Sequence, residues 1–324
     1  MLDPLDFIGQ HVEDGLPPMA HGFMAYPING EGAFNNDTGK SSHPFASHNL
    51  PHKFSAWGKV GFGVWANDYM EITYNRYGVK KTELLVDGKT VFKSNVNRIP
   101  YERTVQVNAW GDHEHFLRYN VWYMHSFLYP GMGLQMLSAD KDKGIVNFNQ
   151  ERDYHLEYVL TDFKGNTSRY AFTVTGKRRT FAPKQPANTL RSVYWNRPFV
   201  LQTDGVQLLI KPNSVAYAVA LTPKISCKDN ALSSFCTFTN NAERLFRPAR
   251  ISLKLTRTVK DTSKLYISGR GYNTRYFGGT YEKGWVSANM RDLHLQYSIE
   301  YDDEPPVVLS LIHISEPTRQ AEIS

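Results

Sequence analysis

The sequence has few cysteines and no long apolar run. No stretch approaches the roughly 18 consecutive apolar residues that a membrane-spanning helix needs. The N-terminus lacks a charged segment followed by an apolar core, so no signal peptide is visible. The two cysteines, Cys227 and Cys236, lie in an apparent loop and are candidates for one disulfide, with the free state left open. A zinc pair would need further ligands nearby, and the sequence offers none.

The motifs of several catalytic classes are also missing. The sequence contains no His-Glu-x-x-His, no Gly-x-Ser-x-Gly and no glycine-rich phosphate-binding loop. The chain therefore gives no motif support for zinc hydrolysis, serine hydrolysis or nucleotide hydrolysis. A catalytic thiol is disfavoured too, because neither cysteine has a suitable local context.

The histidines are weak candidates for a metal site. On a strand, both histidines of His113-Glu114-His115 would share a face and could hold one zinc ion. Zinc hydrolysis needs three protein ligands, and no His-x-x-x-Asp pair precedes this motif. We interpret these residues as exposed loop histidines. His43, His48 and His52 lie in a Ser-, Asn- and Pro-rich stretch that also resembles a loop.

Aromatic and β-branched residues are abundant and indicate strands. The chain has 19 Tyr, 18 Phe, 23 Gly and 17 Pro in 324 residues, which favours many short strands joined by turns. Asp87-Gly88 predicts a tight hairpin, and residues 162–167 predict a second one between Tyr154 and Val174. We expect an all-β fold of two tandem immunoglobulin-like β-sandwiches. Residues His115 to Leu128 are the best candidate for a short helix or an insertion.

The same patterns predict how the chain is divided. The chain has a net charge of +6, and Lys177-Arg178-Arg179 is the only local cluster of basic residues. We interpret it as a solvated linker rather than a nucleic-acid-binding patch, because no aromatic platform or recognition helix accompanies it. Back-translated, Leu309 to Arg319 resembles a widely used transposase sequencing adaptor, so residues 309–324 are interpreted as an artefact. The predicted segments are 1–13, a first sandwich at 14–176, a linker at 177–188, a second sandwich at 189–302, and the start of a third domain at 303–308.

Two sets of side chains could form a binding or catalytic site. Exposed aromatic faces stack on sugar rings, so the tryptophans of the first sandwich are candidate glycan contacts, although core packing also explains most aromatics in such folds. Two carboxylates about 5–10 Å apart could hydrolyse a glycosidic bond. The candidates are Trp57, Trp65, Trp110 and Trp122, accompanied by Tyr69, Tyr74, Tyr77 and Tyr123, and the carboxylates Asp68, Glu71, Asp153 and Glu157.

Several motifs resemble one family. They are Ala56 to Gly63, Asn67 to Met70, Tyr77-Gly78-Val79, Leu85 to Gly88 and Asp162 to Ser168. Together they resemble the region that follows the catalytic domain in large exported lysostaphin/LytM-type zinc endopeptidases of Gram-negative bacteria. Asp3-Pro4-Leu5, Gly278 to Trp285 and Asp302 to Pro306 extend the resemblance over nearly all of residues 1–308.

The resemblance implies a non-catalytic accessory region of a peptidoglycan endopeptidase. The family's zinc ligands come from a His-x-x-x-Asp pair and the first His of a later His-x-His, whose second His is catalytic. None of these residues can be carried onto this chain. We therefore expect no cofactor here, zinc in an upstream catalytic domain acting in cis, and export to the periplasm or cell envelope. Peptidoglycan or an envelope glycan is an expected partner, with no nucleic acid and no membrane span. The alternative is an independent glycan- or protein-binding envelope module.

Overall fold

The structure is a computed structural model that describes residues 2–71, 73–181, 191–239 and 244–304. The adaptor-like tail at 309–324 lies outside these residues, as do parts of the predicted linker and of the predicted third-domain start. The described chain consists mainly of strands with three short α-helices, so the predicted all-β fold with a short helix is confirmed. Within the described residues, no helix is both long enough and apolar enough to span a bilayer.

In its described residues, the first unit contains eleven strands and the three helices. The helices are α1 (Leu5–Ile8), α2 (Val107–Trp110) and α3 (His113–Tyr119). The first six strands are β1 (Met19–Phe34), β2 (Ser41–Pro44), β3 (Asn49–Met70), β4 (Thr73–Tyr77), β5 (Lys81–Val86) and β6 (Lys89–Asn95). The remaining five are β7 (Met124–His125), β8 (Leu137–Ala139), β9 (Val146–Phe148), β10 (Asp153–Thr161) and β11 (Thr167–Gly176).

These strands form one continuous hydrogen-bonded sheet in the order β2-β1-β3-β11-β10-β5-β6-β8, and β4, β7 and β9 each pair with β3 beside this path. The sheet curls back on itself. On β3, Lys53 pairs with Thr173 of β11 and Val64 pairs with Phe23 of β1. If β3 were straight, Lys53 and Val64 would lie about 36 Å apart. Yet the Phe23 ring stacks on Phe172, the neighbour of Thr173, with centroids 4.1 Å apart. The curled sheet therefore encloses its own core, as a sandwich does.

A bulge in β1, where it pairs with β3, accompanies this curl. The register shifts between Pro27 and Gly32, opposite Gly58, whose φ is +74°. A side chain on Gly58 would place its Cβ 2.0 Å from the Glu31 carbonyl oxygen. The extra residues lie on β1, and because bulges bend and twist the strand that carries them, this irregularity helps β1 to follow the curved β3.

Both predicted hairpins are present. Asp87 and Gly88 have φ angles of +50° and +76°, the left-handed values that a two-residue hairpin turn requires. β10 and β11 pair antiparallel from Asp153↔Thr175 to Thr161↔Thr167. Local turn chemistry thus fixes the register of both pairs.

The second unit contains twelve strands in the described residues. They are β12 (Ser192–Val193), β13 (Phe199–Gln202), β14 (Val206–Ile210), β15 (Val219–Ala220), β16 (Lys224–Ser226), β17 (Phe235–Thr237), β18 (Arg244–Lys254), β19 (Leu265–Arg270), β20 (Thr274–Tyr276), β21 (Thr280–Glu282), β22 (Trp285–Asp292) and β23 (Gln296–Tyr301). Two five-stranded sheets, β13-β14-β18-β22-β21 and β16-β17-β23-β19-β20, hold the unit's core.

The two units have separate cores of different character. Rings such as Phe23, Phe34 and Phe62 fill the first, and aliphatic side chains such as Ile251 and Ile267 dominate the second. The units touch where the Gly131 N–H donates to the Ala216 carbonyl oxygen at 2.8 Å and the Tyr129 and Tyr217 rings lie 4.6 Å apart.

The cysteines are free thiols, so the disulfide considered from the sequence is not formed. The predicted loop is also wrong at one end, since Cys236 lies on β17 opposite Ile225 of β16. Cys227 follows β16, with its Sγ 3.3 Å from Ser234 Oγ, so the two cysteines are offset by two residues in register. Such diagonal neighbours lie about 7–8 Å apart, beyond the Cα separation that a disulfide tolerates.

Candidate functional site

A cavity of about 590 Å³ opens in the first unit, beside the last part of β3. Four stretches of chain supply most of its wall: the N-terminal segment 2–5, residues 65–68 of β3, residues 76–80 around the end of β4, and residues 96–99 after β6. Trp110, Asn120, Trp122, Met124 and Phe163 complete it. Its size lies within the range typical of small-molecule sites.

Three of the four candidate tryptophans meet at this cavity. Trp65 and Trp122 are half-buried. The Trp65 ring packs against His21 at 4.6 Å, and the Trp122 ring meets Phe116 edge-on at 5.4 Å. Both rings are therefore held in place by aromatic neighbours and still border the cavity.

The other two candidate tryptophans differ from these. Trp110 lines the cavity but is only 5% exposed, and its indole N–H donates to the His125 carbonyl oxygen at 3.1 Å. The prediction that Trp110 is an exposed glycan contact is therefore wrong, because its side chain packs into the core. Trp57 is half-buried outside the cavity, with the Arg178 guanidinium 5.8 Å from its ring.

The predicted tyrosines divide in the same way. Tyr77 lines the cavity. Tyr69 and Tyr123 are instead held by hydrogen bonds, Tyr69 to His21 at 3.2 Å and Tyr123 to Ser42 at 2.6 Å. The side chain of Tyr74 lies outside the described part of the structure.

Polar groups are interleaved with the rings. Lys80 and Asp3 form a 2.6 Å ion pair in the wall, and both side chains are largely buried. Arg76 and Asn120 are exposed and add hydrogen-bond donors. A few fixed polar groups among apolar faces orient a ligand that carries both characters.

An acidic cluster adjoins this cavity. Asp14, Asp68 and Asp162 each place a carboxylate oxygen within 4.8 Å of those of the other two. Asp14 precedes β1, Asp68 lies on β3 and Asp162 follows β10, so only the tertiary fold brings them together. Asp68 also lines the cavity.

Asp68 is a buried member of the cluster with an unsatisfied oxygen. It is 2% exposed, and its Oδ1 has no hydrogen-bond partner. Burial, followed by the charges of Asp14 and Asp162, raises the pKa of Asp68 to about 7, against one lowering contact from the Tyr69 backbone N–H. Burial likewise raises the pKa of Asp14.

Asp162 is held rigidly by its turn. Its Oδ1 accepts the N–H groups of Gly165 at 2.7 Å and Asn166 at 2.9 Å. The Asn166 side-chain amide donates both to Asp162 Oδ2 at 2.7 Å and to the Asp14 carbonyl oxygen at 3.0 Å. This turn therefore fixes the distance between the Asp14 and Asp162 segments.

The carboxylates proposed for glycoside hydrolysis are used differently. Asp153 and Glu157 lie four residues apart on β10, about 13 Å along the strand and beyond the catalytic separation. Asp153 pairs with Lys53 at 2.6 Å and Glu157 with Arg169 at 2.8 Å. Glu71 accepts the Gly15 backbone N–H at 2.8 Å.

Of the histidines expected in loops, His48 does lie in one, between β2 and β3, whereas the others lie on helices or strands. His113 and His115 are half-buried on α3, where residues two apart point to different sides of the helix. His43 lies on β2 and His52 on β3, and the rings of both pack against Phe54. His48 stacks on Tyr170 at 4.5 Å. Within the described residues, these histidines are not part of any group of three potential ligands within reach of one metal ion.

A second polar group lies at the start of α3. Asp112 caps the helix by accepting the His115 N–H at 3.0 Å, and it also accepts from Lys40 at 3.0 Å and from the Tyr26 hydroxyl at 3.1 Å. His125 is close by and buried, and its desolvation lowers its pKa to about 4 despite the nearby Asp112 charge. Asp112 is therefore ionised next to a neutral imidazole at pH 7.

Comparison with known families identifies only the second unit. Residues 191–302, about a third of the chain, match the family model described as a Zu5-like domain. No curated protein matches the chain. The chain is thus similar to a Zu5-like domain over its second unit, while the cavity and the acidic cluster lie in the first.

Proposed function

We propose that this chain is a non-catalytic accessory region of a bacterial cell-wall zinc endopeptidase, and that its first unit binds a glycan in the cavity beside Trp65 and Trp122. The role beside a peptidase rests on the resemblance of residues 1–308 to the region after such catalytic domains. Under this proposal the zinc belongs to an upstream catalytic domain acting in cis, and the protein works in the cell envelope.

The cavity is the observation that carries the binding role. Two half-buried indole rings and Tyr77 border one space, together with the Lys80–Asp3 ion pair and the exposed Arg76. Sugar rings present apolar C–H faces and hydroxyl edges, so they need both kinds of surface at once. An accessory region that held the glycan here would keep the peptidase close to the neighbouring peptide cross-links.

The alternative is an independent envelope module that binds a glycan or a protein. The groups described around the cavity all lie in the first unit, so the same contacts serve either function. The two functions differ in whether the chain changes peptidase activity. A fused catalytic domain should cleave cross-linked peptidoglycan faster with this chain than without it if the accessory role holds.

Binding can be tested with sedimented peptidoglycan and with soluble N-acetylglucosamine oligomers, followed by tryptophan fluorescence. We expect saturable binding and no release of muropeptides by the chain alone. Trp122→Ala should weaken binding at least about tenfold, roughly 1.4 kcal/mol, because it removes one wall of the cavity.

Trp57→Ala is the matched control, since Trp57 is also half-buried but lies outside the cavity. It should bind as the unmodified chain does. Equal affinity in Trp122→Ala and the unmodified chain would contradict the binding role, and muropeptide release by the purified chain would contradict the non-catalytic one.

A further inference from the structure

Three acidic side chains from separate segments converge beside the cavity. The carboxylate oxygens of Asp14, Asp68 and Asp162 all lie within 4.8 Å of one another. Calcium binds oxygen ligands at about 2.4 Å, so two oxygens on one ion lie at most about 4.8 Å apart. All three carboxylates can therefore reach a single ion with little rearrangement.

Two members of this cluster carry buried oxygens without a hydrogen-bond partner. Asp68 is 2% exposed, and its Oδ1 accepts no hydrogen bond. Asp14 Oδ2 is also buried without a hydrogen-bond partner. A buried carboxylate oxygen normally has a partner, because leaving it unsatisfied is costly.

No side-chain cation within the described residues offsets this charge at contact distance. The ion pairs formed there involve none of these three aspartates. Lys164 acts on Asp14 only through its charge, and it is exposed to solvent. Glu71 adds further negative charge near Asp14.

We propose that Asp14, Asp68 and Asp162 bind one divalent cation of the calcium type. Carboxylate oxygens are the ligands that such hard cations prefer, and the flexible geometry of calcium suits one ligand from each of three segments. The Asp162 turn holds one ligand in place, whereas Asp14 belongs to the segment leading into β1. The bound ion would fasten that segment to the ends of β3 and β10.

This proposal does not depend on glycan binding. The cluster is complete without the tryptophans, so a chain that binds no sugar can still bind the ion. A failure of either experiment leaves the other proposal standing.

The test is a titration of the full, chelator-treated chain with calcium chloride at pH 8, followed by calorimetry and by thermal unfolding. We expect one ion per chain, a dissociation constant of about 1 mM or tighter, and a saturable rise in melting temperature. Magnesium should bind more weakly, because it demands shorter bonds in strict octahedral geometry.

Asp68→Asn should weaken calcium binding at least about tenfold, since it removes one of three charged ligands. Without calcium it should melt at the same temperature as the unmodified chain or higher, because the substitution relieves repulsion between buried carboxylates. Asp14→Asn is a second variant that loses a ligand from a partly exposed position and leaves the Asp162 turn intact.

Glu13→Gln is the control. It removes the same charge from the neighbouring exposed position, and its calcium response should equal that of the unmodified chain. The proposal is overturned if the unmodified chain shows no saturable response up to about 10 mM calcium. It is also overturned if Asp68→Asn and Asp14→Asn respond as Glu13→Gln does.

Discussion

His125 shows how burial sets the charge of a single side chain. It is enclosed by the rings of Tyr26, Phe127 and Tyr129, and its Nδ1 lies 3.3 Å from the Ala109 carbonyl oxygen. Burial lowers its pKa to about 4, and Asp112 offsets this only in part. The ring is therefore a neutral packing element of the first unit.

This environment predicts acid sensitivity. The pKa of His125 is near 6.5 in the unfolded chain and about 4 in the folded one, so the unfolded state binds the proton more readily. The contribution of His125 to stability is complete above about pH 6.5 and declines towards pH 4, by roughly 3 kcal/mol in total. His125→Gln should be less stable at pH 7 but lose less stability over this interval.

Urea unfolding at several pH values measures this slope. The groups that face His125 titrate outside the interval from pH 4 to pH 6.5. Hydrogen bonds raise the pKa of Lys40 despite its burial. Burial is the main cause of the raised pKa of Tyr26. The His115 N–H and Lys40 hold the pKa of Asp112 below its usual value despite burial, so its contribution is lost only at lower pH. An unchanged slope in His125→Gln would show that another group is responsible.

At the scale of residues, the kinds of side chain that border the cavity could be predicted from the sequence, but which distant residues lie together could not. Tryptophans are rare and carry large ring faces, so they could be singled out, and two of them do border the cavity half-buried. Asp14 gave no signal, because it lies 54 residues from Asp68 and 148 from Asp162. Only the curled sheet brings these aspartates together.

Among the elements, those governed by local chemistry were predictable. Asp87-Gly88 specified its hairpin because the turn needs left-handed backbone at both positions. The signals for α3 were also local, Asp112 as N-cap and Asn120 at the C-terminus with φ of +55°. The short helix predicted within His115 to Leu128 overlaps α3, but its start was placed too late because Asp112 was not used as an N-cap signal. The curl of β3 could not be predicted, since it depends on β1 and β11.

Two glycines with similar φ angles allow the cost of backbone strain to be distinguished from the cost of close packing when each is replaced by alanine. Gly58 and Gly88 have φ angles of +74° and +76°. A Cβ on Gly88 would meet nothing within 4 Å, whereas one on Gly58 would lie 2.0 Å from the Glu31 carbonyl oxygen. Gly88→Ala should cost about 1 kcal/mol from backbone strain alone. Gly58→Ala should cost roughly 3 kcal/mol or more, because β1 must move.

The free energy of unfolding from urea titration checks this pair. Gly88→Ala serves as the control for the change of residue type at the same backbone angle. Equal losses would mean that the crossing of β1 over Gly58 does not constrain the sheet.

Across the whole molecule, the two units have distinct origins of stability. The first relies on stacked and edge-on rings inside one curled sheet, and the second on mostly aliphatic side chains between two separate sheets. Contacts between them, such as Tyr129 with Tyr217, lie at one junction. The proposed binding and cation sites both lie in the first unit, so the second is free to serve as a spacer or to bind a partner of its own.

Since its core is self-contained, the second unit should fold without the first. Residues 191–304 expressed alone are expected to unfold cooperatively, as small single domains do. Cys236 provides the measurement: it is fully buried on β17, and burial raises the pKa of its thiol to about 12. Cys227 is exposed and should react with a thiol reagent at once.

The labelling rate of Cys236 then reports whether the isolated unit keeps its native packing. In a Cys227→Ser background, Cys236 should react at least about a hundredfold more slowly than Cys227 does in a Cys236→Ser background, because reaction needs an exposed thiolate. The rate should be the same in residues 191–304 as in the full chain. Rapid labelling of Cys236 in the fragment alone would show that the first unit is needed to close the second core, through the junction at Ala216 and Tyr217.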